Sequence, residues 1–562
     1  MKKLTVVLVI AGVMLFLNYS SLFSQFTIQR VNLNQNNVNA YFQNTGIFNQ
    51  NTNSTNTPGF EWPKGSNKFA IFTTGLTIAG YINNQFAMTA ASYGGEYAPG
   101  YSNNGVAYTG SEFKIYNVKI GDSYISNPDW VNWGLMVPYG APFIDHNNNS
   151  TYEYMIDTPG VRNASQTIFM ALTDGFASSH NAGEGFGGGV ISPLLYADLR
   201  ITAWCYADTL YKDMQFIKMD LINKNTVKWD SVFASVVCDP DLGDSGDDYI
   251  GCDTSLKLGF CYNADNNDPI YGAAPPASGI ILLNGLTRKN VVPNQKIGLS
   301  SFVHFTDLGA SPPPCESDPN GQPIPAYYMM RGYKKDFSPY MNPTTTPPFQ
   351  TKFCYEGDPE NNTGWSEFHG SVQNCDGING QIISVNPSGD RRFVMSSGSL
   401  NLSIQPGETQ TIYLCQLAAR GSNNLNSVTK LKQLSSRAWN FYNSFINVSI
   451  KNLSTEIPKS FSLEQNYPNP FNPTTKIQFQ IPFCHSEVGE SFGIPIYRDR
   501  NPLVVIKVFD ILGKEVATLV NESLQPGTYE TTFDASNLSS GIYFYQLRSD
   551  NFIQTKKLTL IK

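Results

Sequence analysis

Charge is scarce in this sequence. Lys, Arg, Asp and Glu make up 15% of its 562 residues, against about 25% in an average globular chain. The balance is 38 basic to 45 acidic residues, a net charge of −7. With no basic surplus to neutralise phosphates or anionic headgroups, nucleic-acid binding is excluded as a function class. Past the first 17 residues, no apolar run approaches the roughly 20 needed for a membrane-spanning helix. No transmembrane span is therefore expected in the mature chain. Nine cysteines (205, 238, 252, 261, 315, 354, 375, 415 and 484) are scattered without a C-x-x-C pair, so a zinc or thiol-redox motif is unsupported. The five histidines include no H-E-x-x-H. A P-loop lysine and a G-x-S-x-G elbow are also missing. "GDSG" at Gly243–Gly246 runs into Asp247 where a trypsin-like nucleophile loop has glycine. Gly183, Gly185 and Gly188 fit G-x-G-x-x-G, but Pro193 obstructs the helix that should follow.

What the chain has is aromatic residues, at 13%, and many Asn, Gly, Thr and Ser. These suit pleated surfaces and tight turns, so the fold class expected is mainly β: a multi-domain antiparallel β-sandwich architecture. Short alternating runs such as "CYADTLYKDMQFIKMDLINKN" and "WDSVFASVVCD" read as paired strands. One stretch has a helical period. Leu425, Val428, Leu431, Leu434, Ala438, Tyr442 and Phe445 line one face, predicting one packed helix near 424–446.

The N-terminus has the layout of a secretory signal. Lys2 and Lys3 precede the apolar run Leu4–Leu17 and a polar stretch to Gln25, with cleavage expected near Ser24. Export to an oxidising compartment permits disulfides, and the 252/261 pair, nine residues apart across a hairpin, is the expected local one. The expected organisation is a signal peptide at 1–24, an Asn-rich segment at 25–59 and a β-rich passenger at 60–448, with two subdomains meeting near 200–300. A linker at 449–459 and a C-terminal module at 460–562 follow, with a hairpin inserted between Pro482 and Pro502.

The C-terminal module carries "SLEQNYPNPFNPTTKI", "VFDILGKEVATLV", "QPGTYETTFDASNLSSGIYFYQL" and a terminal "KKLTLIK". In these it resembles the type A C-terminal sorting domain of type IX secretion cargo. The module's short alternating strands, separated by Gly, Pro or Asn, read as an Ig-like sandwich, and the resemblance implies translocation of the folded passenger across the outer membrane by the type IX secretion machinery. It further implies release, or attachment to surface polysaccharide, usually with removal of the domain. Localisation is then secreted or outer cell surface. In the passenger, "CDPDLGDSGDDYIGCDTSLKLGF", "AYYMMRGYKKD", "GDRRFVMSSG" and "SVTKLK" resemble, in this order, a region that recurs in such cargo and implies no activity.

Two stretches are candidate metal ligands. Asp239, Asp241, Asp244, Asp247, Asp248, Asp253, Asp265 and Asp268 share one segment with Lys257 as its only basic residue. So many carboxylates repel one another unless water or a cation neutralises them, and Ca²⁺ suits irregular oxygen-rich loops. The alternative is a solvated acidic turn. In "DHNNNSTYEYMID", Asp145, Asn147, Asn149, the Thr151 carbonyl and Glu153 occupy positions 1, 3, 5, 7 and 9 of an EF-hand-like loop. Position 12 is Ile156, so Asp157 would have to supply the last carboxylate, and Ser150 replaces the turn glycine; the alternative is a plain Asn-rich β-turn. Trp62, Trp130, Trp133, Trp204 and "AYYMMRGY" are either core or sugar-stacking platforms. The function expected is a calcium-stabilised, surface-displayed binding or structural protein with a glycan or protein ligand and no evident catalytic motif. The alternative is a secreted hydrolase whose carboxylates converge only in the fold.

Overall fold

The computed structural model describes residues 27–562 except 53–55, 148, 181–184, 190–191, 290, 292–293, 308–312, 376–379, 444–450, 455–457, 483, 492–493, 501, 525, 536–537 and 550–551. The expected signal peptide therefore lies outside the described residues. The backbone divides into two compact units, Met1–Ser435 and Ser436–Lys562.

The main strands of the first unit are β1 (Thr73–Ile82), β2 (Gln166–Thr173), β3 (Ala197–Cys205), β4 (Met214–Asn223), β5 (Trp229–Asp239), β6 (Asp248–Asp253), β7 (Leu258–Asn263), β8 (Ala277–Asn284), β9 (Ser301–Phe305), β10 (Arg392–Gly398) and β11 (Thr409–Ala419). One sheet has the order β9-β10-β5-β1 and continues through Ile47–Phe48, Asn39–Gln43, Phe60–Glu61 and Phe69–Ile71. The other runs from Ala98–Pro99 through β2-β3-β4-β11-β8-β7-β6. The pairings among the main strands are antiparallel. Strand is 45% and helix 11%, which places the fold in the mainly β class.

Period-two alternation explains the packing. Leu199, Ile201 and Ala203 of β3 and Ile217, Met219 and Leu221 of β4 enter one apolar core with Leu76 and Ile78 of β1, Val236 of β5 and Val394 of β10. The opposite face of β2 is covered as well, because Phe169 and Ala171 pack on Phe113, Tyr116 and Trp133. Trp133, a candidate platform by sequence, is thus core. The two sheets are also joined by buried amides. Asn49 Nδ2 donates to Gln416 Oε1 at 2.8 Å, Gln416 Nε2 to Gln215 Oε1 at 2.9 Å, and Gln215 Nε2 to the Leu33 carbonyl at 2.8 Å. In a low-dielectric core, breaking any member leaves its partner unsatisfied at a cost of about 1–3 kcal/mol.

The periodic stretch forms the helix Asn424–Phe441, whose Val428 and Leu431 are buried, while 444–450 lies outside the described residues. A second helix, Pro323–Met330, carries no one-sided apolar stripe, because "PIPAYYMM" is apolar on nearly all sides. Its prolines occupy the first turn, where a missing N–H costs nothing.

The cysteine pairing expected from sequence is corrected. Cys252 and Cys261 are both free and buried. Cys252 stands opposite Gly259 and Cys261 opposite Ile250, so the two thiols are diagonal neighbours, and diagonal spacing of about 7–8 Å exceeds what a disulfide spans. The disulfide instead joins Cys315 to Cys375, 60 residues apart in sequence.

The second unit is a sandwich of two four-stranded sheets. Lys451–Ser454, Gly527–Asp534, Thr474–Ile481 and Ser462–Leu463 form one, and Glu515–Ser523, Leu503–Phe509, Gly541–Ser549 and Phe552–Leu560 the other. Ile477, Phe479, Val504, Ile506, Tyr545, Leu547 and Leu558 fill its core. The expected insertion forms the hairpin Cys484–Ser491/Ile494–Arg500. The "NYPNPFNP" segment docks on the last strand. Asn469 Oδ1 accepts from Thr559 N at 3.0 Å, and Phe471 exchanges backbone bonds with Thr559 and Ile561. Tyr545 hydroxyl accepts from Asn466 N and donates to the Glu464 carbonyl.

Cross-linking a loop of about 60 residues restricts the unfolded chain, a contribution of about 2–4 kcal/mol. Cys315→Ala with Cys375→Ala is expected to lower stability to denaturant by that amount, whereas Cys252→Ala with Cys261→Ala leaves the sensitivity to reductant unchanged. Non-reducing peptide mapping that recovers a 252–261 cross-link would contradict the assignment.

Candidate metal centre and binding cavity

The aspartate-rich segment does not converge on one point. Asp239 is the last residue of β5, and since Cys238 stands opposite Phe393, Asp239 meets Arg392 at the start of β10. Asp241 follows in a left-handed conformation, φ 41°, that Asp tolerates better than most residues. Asp390 arrives from the loop leading into β10. The three carboxylates each place an oxygen within 4.8 Å of the others. These acidic groups can hold a metal ion.

The remaining aspartates shape the backbone. Asp244 Oδ1 accepts from Gly246 N, and Asp247 Oδ1 from Asn263 Nδ2. Asp248 is buried and accepts from Leu242 N. Asp253 binds Ser255 and Leu256 N–H groups and pairs with Lys432 at 3.4 Å. Asp268 staples the turn through the Asp244, Ile270 and Tyr271 amides. In the second candidate loop, Glu153 Oε2 accepts from both Asn147 and Asn149 side-chain amides at 2.6 and 2.7 Å. Asp145 Oδ2 accepts from Ser150 N, and Asn149 Oδ1 from Thr151 N. Asp157 takes His146 N on one oxygen and Glu153 N on the other. Amide donors occupy these oxygens.

Three carboxylates face one guanidinium at the Asp239 cluster. Arg392 Nε lies 3.3 Å from Asp239 Oδ2, and its Nη2 lies 3.2 Å from Asp390 Oδ2. Tyr93 hydroxyl donates to Asp239 Oδ2, and Arg392 Nε donates to that hydroxyl. The outer oxygen Asp390 Oδ1 is buried with no hydrogen-bond partner, whereas Asp239 is hydrogen-bonded by the Asp241 side chain. Burial, with the charges of Asp239, Asp390 and Asp248, pushes Asp241 up to about 9. Burial and the Asp239 charge raise Asp390 to about 6 against the pull of Arg392. Burial likewise raises Asp239, opposed by Arg392. At neutral pH the cluster keeps a proton on Asp241 in place of a second positive charge.

Asp390 also borders a cavity of about 260 Å³ lined by His304, Glu316, Tyr355, Asn386 and Arg391 among others. Its polar walls are tied in pairs. Glu316 meets fully buried Lys334 at 2.5 Å, and Arg391 Nε donates to Glu367 Oε1 at 3.1 Å. Asn386 Nδ2 donates to Glu367 Oε2 at 2.6 Å and to Tyr355 hydroxyl at 2.8 Å. His304 Nε2 sits 3.4 Å from Tyr355 hydroxyl and 3.5 Å from Glu316. Burial, with the charges of Arg391 and Lys334, pushes His304 well below its usual value, so its imidazole is neutral. Of these groups, sequence reading reached only Asp239 and Asp241. The one trace of the rest was "GDRRFVMSSG", two adjacent arginines entering a strand.

Residues 465–562 match the secretion system C-terminal sorting domain family. The chain thus carries the type IX sorting domain and is cargo of that export route, bound for the secreted or cell-surface location. Among solved structures, a polysaccharide lyase is similar at 9% identity over 65% of this chain and 34% of its own, with a TM-score of 0.17. The chain spans about a third of that protein's length, and so loose a superposition defines no shared fold. No curated protein matches the chain. No described helix is long and apolar enough to cross a membrane.

Asp241 and Asp390 hold their protons more tightly in the folded state than in the unfolded chain. Their contribution is complete below the ordinary carboxylate range and is lost as pH rises through about 6 and then about 9. In chelator, the melting temperature of the mature protein should therefore fall between pH 5 and pH 9. Asp241→Asn, which keeps a neutral side chain at every pH, should make that fall shallower. An unaltered slope would mean that this cluster does not titrate as described.

Proposed function

We propose that this exported cargo has a binding or structural role at the cell surface and that its passenger is stabilised by calcium held at Asp239, Asp241 and Asp390. The observation that supports the metal is the convergence of the Asp239, Asp241 and Asp390 carboxylates within 4.8 Å of one another, with the buried Asp390 Oδ1 lacking a hydrogen-bond partner. A hard divalent cation takes oxygen ligands of this kind, tolerates irregular geometry and supplies the positive charge that Arg392 alone does not. Binding displaces the Asp241 proton, so calcium affinity rises with pH. At an extracellular dissociation constant near 10⁻⁴ to 10⁻³ M, millimolar calcium contributes about 1 kcal/mol.

A hydrolase is the second reading, and one observation favours it: the cavity brings the neutral His304 imidazole together with Tyr355 and Glu316. Against it, Glu316 is engaged by Lys334 and Asp390 by Arg392. A paired-carboxylate mechanism needs one acid and one base free to exchange protons with substrate. The binding reading is therefore preferred.

Two measurements test the proposal. Calcium titration of the mature protein should raise its melting temperature, release about one proton at pH 7 and disappear in Asp241→Asn with Asp390→Asn. No calcium in elemental analysis and no shift with chelator would remove the metal. For export, deleting "KKLTLIK" removes the strand on which "NYPNPFNP" docks and should leave the protein in the periplasm. Normal surface delivery of that truncation would overturn the role given to the terminal strand.

A further inference from the structure

A separate pocket of about 320 Å³ opens beside the end of the helix Pro323–Met330, lined by Phe233, Ser300, Arg331, Tyr333, Lys352 and the turn Gly398–Asn401. Its chemistry is opposite to that of the protein as a whole. The net charge of the chain is −7, yet the pocket lining contains two cations and no carboxylate. Among the described residues, neither Arg331 nor Lys352 has an acidic partner.

Arg331 is held by rings. Its guanidinium carbon lies 5.5 Å from the Tyr327 centroid, 5.8 Å from Tyr333 and 5.1 Å from Phe337. Tyr333 and Phe337 pack against each other at 4.4 Å, and Tyr327 is anchored by its hydroxyl on the Ser231 carbonyl at 2.7 Å. Lys352 Nζ sits 5.9 Å from the Tyr333 ring. Aromatic rings attract a cation through their faces but do not satisfy its N–H donors. The guanidinium is thus fixed in position with donor capacity to spare, which favours planar bidentate recognition of a carboxylate at little entropic cost. Behind the turn, Arg288, which does not line the pocket, donates from Nη2 to Ser399 Oγ at 3.1 Å. Ser300 Oγ, whose proton goes to the Ser396 carbonyl, can accept, Ser399 Oγ, which accepts from Arg288 and from Asn401 N, can donate, and the Asn401 side-chain amide can do both, matching the hydroxyls of a sugar. The volume falls in the range of small-molecule sites.

We propose that this pocket binds a uronic-acid unit of an acidic saccharide, its carboxylate on Arg331 and Lys352 and its hydroxyls on the Ser399–Asn401 turn. The proposal rests on the binding reading above for its biological purpose, and its geometry is independent of the calcium centre and of export.

The test is calorimetric titration of the mature full-length protein at low salt with digalacturonate, its dimethyl ester, inorganic sulfate and an aspartate-rich peptide. Digalacturonate should bind, and binding should weaken as salt is raised. The ester should bind roughly tenfold or more weakly, because it lacks the charge. Arg331→Gln should weaken digalacturonate roughly tenfold to a hundredfold, and exposed Lys352→Gln, with a melting temperature unchanged from the parent, by a smaller factor. Equal binding of acid and ester, undiminished binding by both variants, or binding of the peptide or sulfate without the sugar would each overturn it. Calcium melts and surface delivery of the same variants should match the parent, so failure here is distinct from failure of the wider reading.

Discussion

Buried positive charge at the start of β10 organises one end of the first unit. Arg391 and Arg392 are adjacent, and a strand sends successive side chains to opposite faces. Arg391 accordingly meets Glu367 on the cavity wall, while Arg392 meets Asp239 and Asp390 at the carboxylate cluster. Each arginine is largely removed from water. Such ions persist only where opposite charges and hydrogen bonds replace hydration. That requirement fixes where Asp239, Asp390 and Glu367 stand and carries order outward to Asn386, Tyr355 and His304.

The two pockets follow one rule in opposite senses. Near Arg391 and Arg392 nearly every cation has its anion, and what remains is an excess of carboxylate oxygens. Near Arg331 and Lys352 aromatic faces replace the anions, so the excess is of N–H donors. A cation on a ring keeps its charge visible to a visiting ligand, whereas one on a carboxylate does not.

Much of the architecture was legible from alternation and turn residues, because those patterns answer to local sterics. The helix at 424–441 was legible for the same reason: its stripe repeats at helical spacing over more than four turns. The sorting module was legible by likeness, and its interior explains why its motifs occur together, since "NYPNPFNP" and the final strand are two sides of one contact. The carboxylate centre was only half legible. Asp239 and Asp241 lie in a visibly acidic segment, but Asp390 and Arg392 join them only through the register between β5 and β10, which pairs residues more than 150 positions apart. The same non-local pairing hides which aspartates turn inward to bind backbone amides. Asp268, which binds the amides of Asp244, Ile270 and Tyr271, looks in sequence no different from Asp241.

The amide chain between the sheets has a consequence for when this protein can fold. Its first link joins residues 367 positions apart, Asn49 and Gln416, and β11 sits in the middle of its sheet, between β4 and β8. Neither sheet is whole, and the core is not sealed, until nearly all of the first unit has been synthesised. Such high contact order makes folding slow and late. The first unit therefore acquires its core only once its last strands are in place. The sorting module, whose strands pair within a hundred or so residues and enclose a core of their own, needs no such wait.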